Sequence, residues 1–150
     1  AHARIVANAR KYDPKARIEG VLVQPMVPAG VEIVIGAKVD PQFGPVVLVG
    51  LGGVLVEVLR DTATAPAPLS RDEALELLRR LRAGRLLDGF RGQPGADREA
   101  LADLVVRMGE VISDLSGRIA EIDLNPVICR GERMLAVDAM VAQSSKGSPT

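Results

Sequence analysis

The chain has 150 residues, with 19 basic against 19 acidic side chains, 47% hydrophobic residues and 25% charged residues. That length suits one domain with its own core. The balanced charge excludes a general nucleic-acid binder or a polybasic membrane-surface protein. Aromatic side chains are confined to Tyr12, Phe43 and Phe90, too few for a base-stacking surface, so the core has to be aliphatic. The single cysteine, Cys129, has no partner for an internal disulfide and reads as a small apolar strand residue. No apolar run reaches the roughly 18–20 residues of a membrane span, and a cytoplasmic protein is expected.

In chain order, Ile5, Val6 and Ala9 recur at helical spacing before Asp13-Pro14, predicting a helix over residues 1–12. From Gly20 the texture changes to runs rich in β-branched residues, predicted as strands 21–27, 31–39 and 44–50. The turns between them, Pro-Ala-Gly and Asp-Pro-Gln-Phe-Gly, are too short for parallel crossovers, so antiparallel neighbours are expected. Val54–Leu59 is a fourth strand after the Gly-Leu-Gly-Gly turn, and Ala63–Leu69 reads as a proline-punctuated connector. Ser70 and Glu73 have capping-box spacing ahead of a leucine stripe, which predicts a helix over 70–83. Residues 84–96 are rich in glycine and read as an ordered loop. Asp97 opens a second helix over 97–116, with Leu101, Leu104, Val105, Met108, Val111, Ile112 and Leu115 on its apolar stripe. Two last strands, Ile119–Leu124 and Leu135–Val141, turn at Gly131, and a small polar tail follows over 143–150. The order of elements predicts an α+β fold, one mainly antiparallel sheet with helices packed on one face, as a single domain over 1–142.

Several polar residues stand where a purely structural strand does not need them. Glu32 opens VEIVIG, and Glu57 interrupts VLVEVL. Glu121, Asp123 and Asn125 alternate in EIDLN, so a period of two places them on one strand face. Asp138 has apolar residues on both sides in LAVDAMV, where a carboxylate needs a partner or a metal. If the last two strands pair around Gly131, Asn125 and Asp138 become neighbours. Oxygen donors from two adjacent strands, completed by water and phosphate, are what Mg²⁺ accepts. The plainer alternative is that the acidic face is the solvated side of the sheet. Likewise Gly50–Gly53 (GLGG) serves either as a tight turn or as a phosphate cradle, without a Walker loop pattern. His2 lacks a nearby carboxylate or cysteine and reads as a solvated side chain.

The runs GVLVQPMVPAGVEIVIGAKVDPQFGPVVLVGLGGVLVEVLRD, LLDGFRGQPGAD and EIDLNPV…LAVDAMV resemble the C-terminal part of the ATP-grasp module of NDP-forming (ADP-forming) acyl-CoA synthetases, relatives of the succinyl-CoA synthetase β subunit. The similarity runs in unbroken order over about residues 1–142. It does not include the family's N-terminal lobe, with its nucleotide-binding lysine and H-K-S-D-x-G-G segment, nor the CoA-binding and ligase domains. By position, Gln24-Pro25-Met26-Val27 resembles the interlobe hinge whose backbone meets the adenine edge. Glu32 resembles the acid beside the nucleotide. Gly52, Gly53 and Glu57 resemble the turn and strand on the phosphoryl-transfer side. Asn125 and Asp138 resemble the pair that holds Mg²⁺ against the phosphates, with Asp123 two residues before the asparagine. Arg91 in GFRG is typical of the family and is read as ordering its loop.

What the resemblance implies is an acid–thiol ligase assembly that interconverts acyl-CoA, ADP and phosphate with free acid, CoA and ATP, through a phosphohistidine. This part would bind ATP or ADP with Mg²⁺, and the histidine would belong to another domain, with no catalytic nucleophile here. Without the opposing lobe, the chain alone is expected to bind nucleotide weakly, to be inactive as a ligase, and to self-associate through uncovered apolar surface. A second role open to the same architecture is a nucleotide- or CoA-sensing regulatory module fused to an acetyltransferase. A third is an interaction scaffold whose acidic face is merely solvated.

Overall fold

The computed structural model describes residues 1–53, 61–89, 92 and 94–144, so the strand expected at 54–59 lies outside the described residues. Helix α1 (His2–Tyr12) has its N-terminal turn closed by the Ile5 N–H on Ala1 O, and it buries none of its residues. Residues 13–30 form no helix or strand, which corrects the strand expected at 21–27. Pro25 and Pro28 have no N–H to give a ladder, and no described strand pairs with this segment. Leu22, Val23 and Met26 are accordingly more than four-fifths exposed (81%, 87% and 93%).

The sheet starts with β1 (Val31–Asp40) and β2 (Gly44–Leu51), an antiparallel hairpin in continuous register from Ile33↔Leu51 to Asp40↔Gly44. Its tip is fixed by the Asp40 carboxylate, which accepts the N–H groups of Gln42 (2.9 Å) and Phe43 (3.1 Å). Gly44 then closes the turn at φ +76°, where a side chain would be strained. Strand β3 (Thr62–Pro66) pairs antiparallel with β2 in the stretch expected to be a connector. Its proline, Pro66, argues for a loop, yet an edge strand tolerates proline at its end, and alternating Thr and Ala fit the rim of the sheet.

Helix α2 (Arg71–Arg79) carries the expected capping box: Ser70 Oγ accepts the Glu73 N–H, and the Glu73 carboxylate accepts the Ser70 N–H. The Ser70 N–H and hydroxyl, both reaching the Glu73 carboxylate, hold it below its ordinary value. The helix is shorter than expected because Arg80–Ala83 turn away. The turn is fixed by the buried Asp61 carboxylate, which accepts from the N–H groups of Arg82 (2.9 Å) and Ala83 (2.8 Å). A 3₁₀ turn (Gly84–Asp88) follows inside the expected loop, joined to α3 (Arg98–Asp114) by Arg98, which reaches Gly84 O and Asp88. On α3, Leu101, Val105, Met108 and Ile112 are buried as expected, whereas Val111 is 43% exposed and does not belong to the core stripe. The helix crosses the sheet at Gly109, where a Cβ would stand 2.6 Å from Leu69 Cδ2.

Strand β4 (Ile119–Arg130) is twice the expected length and pairs with β1. It continues through Asn125-Pro126 because the register shifts there: Ile35 faces Leu124 while Ile33 faces Val127, so one extra residue bulges on β4. Opposite β1, β4 pairs with β5 (Arg133–Ala136) and then β6 (Ala139–Gln143). The strand expected over 135–141 is therefore two strands with a break at Val137-Asp138. The resulting six-stranded antiparallel sheet runs β3-β2-β1-β4, with β5 and β6 end to end along β4.

α2 and α3 pack on one face of this sheet. Ile33, Ile35, Val47, Val49, Val127 and Cys129 meet Leu77, Leu78, Leu101 and Val105 there in an aliphatic core, and burial pushes the Cys129 thiol up to about 11. The predicted α+β class and one-sided helix packing hold; the strand neighbouring β1 is β4 rather than 21–27. Among the described residues, no helix is long and apolar enough to cross a membrane.

Candidate functional site on the open sheet face

The face opposite the helices is built by the residues that alternate with the core. One row crosses the sheet as Thr64, Leu48, Gly36, Asp123 and Met140, each opposite the next. The adjacent row is Pro66, Val46, Lys38, Glu121 and Ala142. Glu121 and Asp123 thus share a face as the period of two requires. Asn125 follows them at the bulge, where regular alternation ends.

Asn125 and Asp138 are brought together: the Asn125 N–H donates to Asp138 O at 3.2 Å, and the Val137 N–H donates to Pro126 O at 2.9 Å. The Asn125-Pro126 peptide is cis. Asp138 is not the lone carboxylate inside an apolar strand that its sequence context predicts. It lies exposed in the break between β5 and β6, and its Oδ1 accepts the Ala139 N–H at 2.9 Å. Asp123 is half-buried, and its carboxyl is raised first by desolvation and then by the negative charges of Glu121 and Asp138. Among the described residues, no three His, Cys, Asp or Glu side chains converge as a closed metal cage.

Glu32 and Gly52-Gly53 form a second group. The Gly52 N–H donates to Glu32 O at 2.6 Å. A Cβ on Gly52 would meet the Glu32 backbone carbon at 2.8 Å, and one on Gly53 would lie 2.7 Å from Glu32 Oε2. Gly53 also stands at φ +71°. The two glycines are needed because the turn leaving β2 wraps around the exposed Glu32 side chain.

The expected hinge residues Pro25, Met26 and Val27 line a cleft of about 480 Å³, with Ile128, Arg130 and Leu135 on its other side. Ile128 is the cross-strand neighbour of Glu32, so hinge cleft and glutamate adjoin. Gln24 precedes this lining without belonging to it. Glu57 and Arg91 lie outside the described residues.

The sequence reading passed over Lys38 and Phe43, which border a second cavity of about 410 Å³ together with Asp123 and Glu121. The signal was present: β2 reads GPVVLVGL, apolar on both faces, although helices cover only one. The hinge cleft also holds Arg130 and Arg133, which alternation on its own does not single out.

A family model described as an ATP-grasp domain matches residues 1–142. The beta subunit of acetate–CoA ligase (ADP-forming) I from Pyrococcus furiosus is 43% identical over 139 residues, covering 93% of this chain and 60% of its own length. Acetate–CoA ligase (ADP-forming) I from Archaeoglobus fulgidus is 49% identical over 127 residues, 85% of this chain but 18% of that protein. The chain thus spans about three-fifths of one relative and under a fifth of the other. Among solved structures, dinucleotide-forming acetyl-coenzyme A synthetase 1 of Ca. Korarchaeum cryptofilum, in complex with coenzyme A and Ca-AMPCP, superposes with a TM-score of 0.82 at 44% identity, covering 95% of this chain and 62% of that one. Another complex of that protein holds coenzyme A and Mg-AMPPCP, with a phosphohistidine segment pointing towards the nucleotide-binding site (TM-score 0.73, 79% and 55% covered). With its sequence matched almost end to end and its sheet superposed, this chain belongs to the ATP-grasp family, in the branch found in ADP-forming acetyl-CoA synthetases.

Proposed function

We propose that residues 1–142 are the C-terminal part of the nucleotide-binding module of an ADP-forming acyl-CoA synthetase, an acid–thiol ligase. The observation that carries this reading is the continuous open face joining the hinge cleft, Glu32 with Gly52-Gly53, and the Asn125–Asp138 pair. Gln24, Pro25, Met26 and Val27 would border the base, Glu32 and the two glycines would flank the sugar and phosphates, and Glu57 would follow on the phosphoryl side. The remaining lobe and the CoA-binding and ligase domains would come from sequence that the relatives carry beyond this region.

Mg²⁺ fits the donors present. Asn125, Asp123 and Asp138 offer hard oxygens, and the Asp123 carboxyl is raised by desolvation and then by the negative charges of Glu121 and Asp138. Two or three such oxygens leave room for water and phosphate, as Mg²⁺ prefers. When bound, the ion would neutralise charge on the phosphates. The protein's own share is positioning, which is most of what phosphoryl transfer asks of a site. In the transfer itself, the lone pair of an imidazole nitrogen from another domain forms the N–P bond. The bond from the γ-phosphorus to the bridging oxygen breaks, its electron pair leaves with ADP, and the ring proton passes to water.

A cytoplasmic assembly, working on ATP, ADP and CoA, is part of this reading. Exposed Leu22, Val23 and Met26 support self-association of the isolated chain. The test is a thermal-shift titration of the complete synthetase with Mg·ADP. A rise following RT ln(1 + [L]/Kd) is expected, and no shift at millimolar ligand would sink the nucleotide reading.

A further inference from the structure

The tip of the β4–β5 hairpin sets two like charges against each other. Arg130 and Arg133 are direct cross-strand partners around Gly131 and Glu132, and both line the hinge cleft. Like charges directly opposite on neighbouring strands are destabilising, so the pair calls for a group that both can hold. Among the described residues no carboxylate pairs with either guanidinium. Glu32, one row away, sends its Oε2 towards Gly53, and Glu132 borders a separate cavity beside α3.

The pair is held ready. The Gly131 N–H donates to Gly95 O at 2.6 Å, and Gly131 O accepts the Asp97 N–H at 2.9 Å, which clamps the hairpin tip to the loop before α3. The Arg130 stem lies against Gly30, where a Cβ would stand 2.8 Å from Arg130 Cγ. The rest of the cleft is mainly apolar, with Pro25, Met26 and Val27 across from Ile128 and Leu135, and no acid lines it. Such walls suit the faces of a flat base better than a hydrated phosphate. Pro25 and Pro28 have no N–H, so the hinge wall keeps backbone donors only at Met26 and Val27. A guanidinium donates and never accepts, so an occupant needs acceptors on its arginine side. A base over Ile128 and Leu135 would leave its phosphates to reach Asn125, about 10 Å along β4, and would turn its far edge to the arginines.

We infer that Arg130 and Arg133 read the base, and that their donors select a 6-oxopurine nucleotide over an adenine nucleotide. The inference rests on the nucleotide reading of the cleft and names the class of base it takes. Guanine and hypoxanthine present two adjacent acceptors, O6 and N7, which a guanidinium holds bidentately, whereas adenine places its 6-amino donor where O6 would be. A donor facing a donor forms no hydrogen bond, so adenine keeps N7 alone and binds more weakly. Arg130 and Arg133 determine specificity and take no part in phosphoryl transfer.

The test uses the complete synthetase and its variants Arg130→Met and Arg133→Met, which keep an unbranched stem and remove the donors. Calorimetry measures Kd for Mg·ADP, Mg·GDP and Mg·IDP. The parent should bind GDP and IDP about tenfold tighter than ADP, the scale of one bidentate base contact. IDP should follow GDP, because hypoxanthine keeps O6 and N7 and lacks only the 2-amino group. Each variant should lose most of that advantage, while its affinity for ADP stays within about twofold of the parent's. Equal affinity for ADP and GDP in the parent would overturn the inference. So would equal losses for all three nucleotides in a variant, which would assign the arginines to the phosphates or to the fold. Tight GDP with weak IDP would overturn it as well, by moving the reading to the 2-amino edge. A parent that binds none of the three would remove the nucleotide reading itself.

Discussion

The Asn125 N–H donates to the carbonyl oxygen of Asp138 across 3.2 Å, so a bulged residue of one strand is locked against the break in the next. Both irregularities fall at one place on the open face. A regular ladder would keep this stretch flush with the sheet, whereas a bulge re-aims side chains.

Because Asp138 is exposed and packs nothing in the core, Asp138→Asn should leave folding intact. In the complete synthetase it should weaken Mg·nucleotide binding by more than about tenfold. Calorimetry with Mg·ADP checks this, and wild-type affinity would mean that the carboxylate only organises the Ala139 N–H.

Asp123 gives a pH signature. Its carboxyl is raised above 3.8 in the folded state, first by desolvation and then by Glu121 and Asp138. The folded protein therefore holds this proton more tightly than the unfolded chain does, and stability falls as pH rises from that ordinary value through the raised one. In metal-free buffer, Asp123→Asn should increase Tm near about pH 7 and lose that advantage near about pH 3. Equal Tm differences at both pH values would refute the charge clash.

The turn around Glu32 should resist side chains. Gly52→Ala places a methyl 2.8 Å from the Glu32 backbone carbon, which cannot yield as a side-chain tip can. A loss of about 1–3 kcal/mol is expected from such overpacking. Chemical denaturation measures it, and a neutral variant would show that the turn is free to move.

Asp61 should matter more for stability than for binding. Its buried carboxylate accepts two backbone N–H groups from the turn after α2. Asp61→Ala leaves both donors without that acceptor, at a cost of about 2–4 kcal/mol. Nucleotide affinity should survive in whatever fraction remains folded. A variant as stable as the parent would mean that water replaces the carboxylate.

Local chemistry made much of this protein legible from its sequence. The Ser70–Glu73 box, the α3 leucine stripe, the β1–β2 hairpin with its Asp-Pro-Gln-Phe-Gly turn, and the pairing of the last strands around Gly131 are all decided by near neighbours. The ordering of family motifs along the chain did the same for the ATP-grasp assignment. Tertiary structure decided what depends on distant partners. Residues 21–27 have a strand's composition but no strand beside them, whereas 62–66 contains a proline and becomes a strand because β2 offers its edge. Asp138 is flanked by apolar neighbours in sequence, yet a break in pairing exposes it. The cavity bordered by Lys38 and Phe43 exists only because β1 and β2 lie between β3 and β4, and composition cannot express that order. A hydrogen bond to a remote strand outweighs the small propensity differences that a sequence displays, which is why the elements were readable and their company was not.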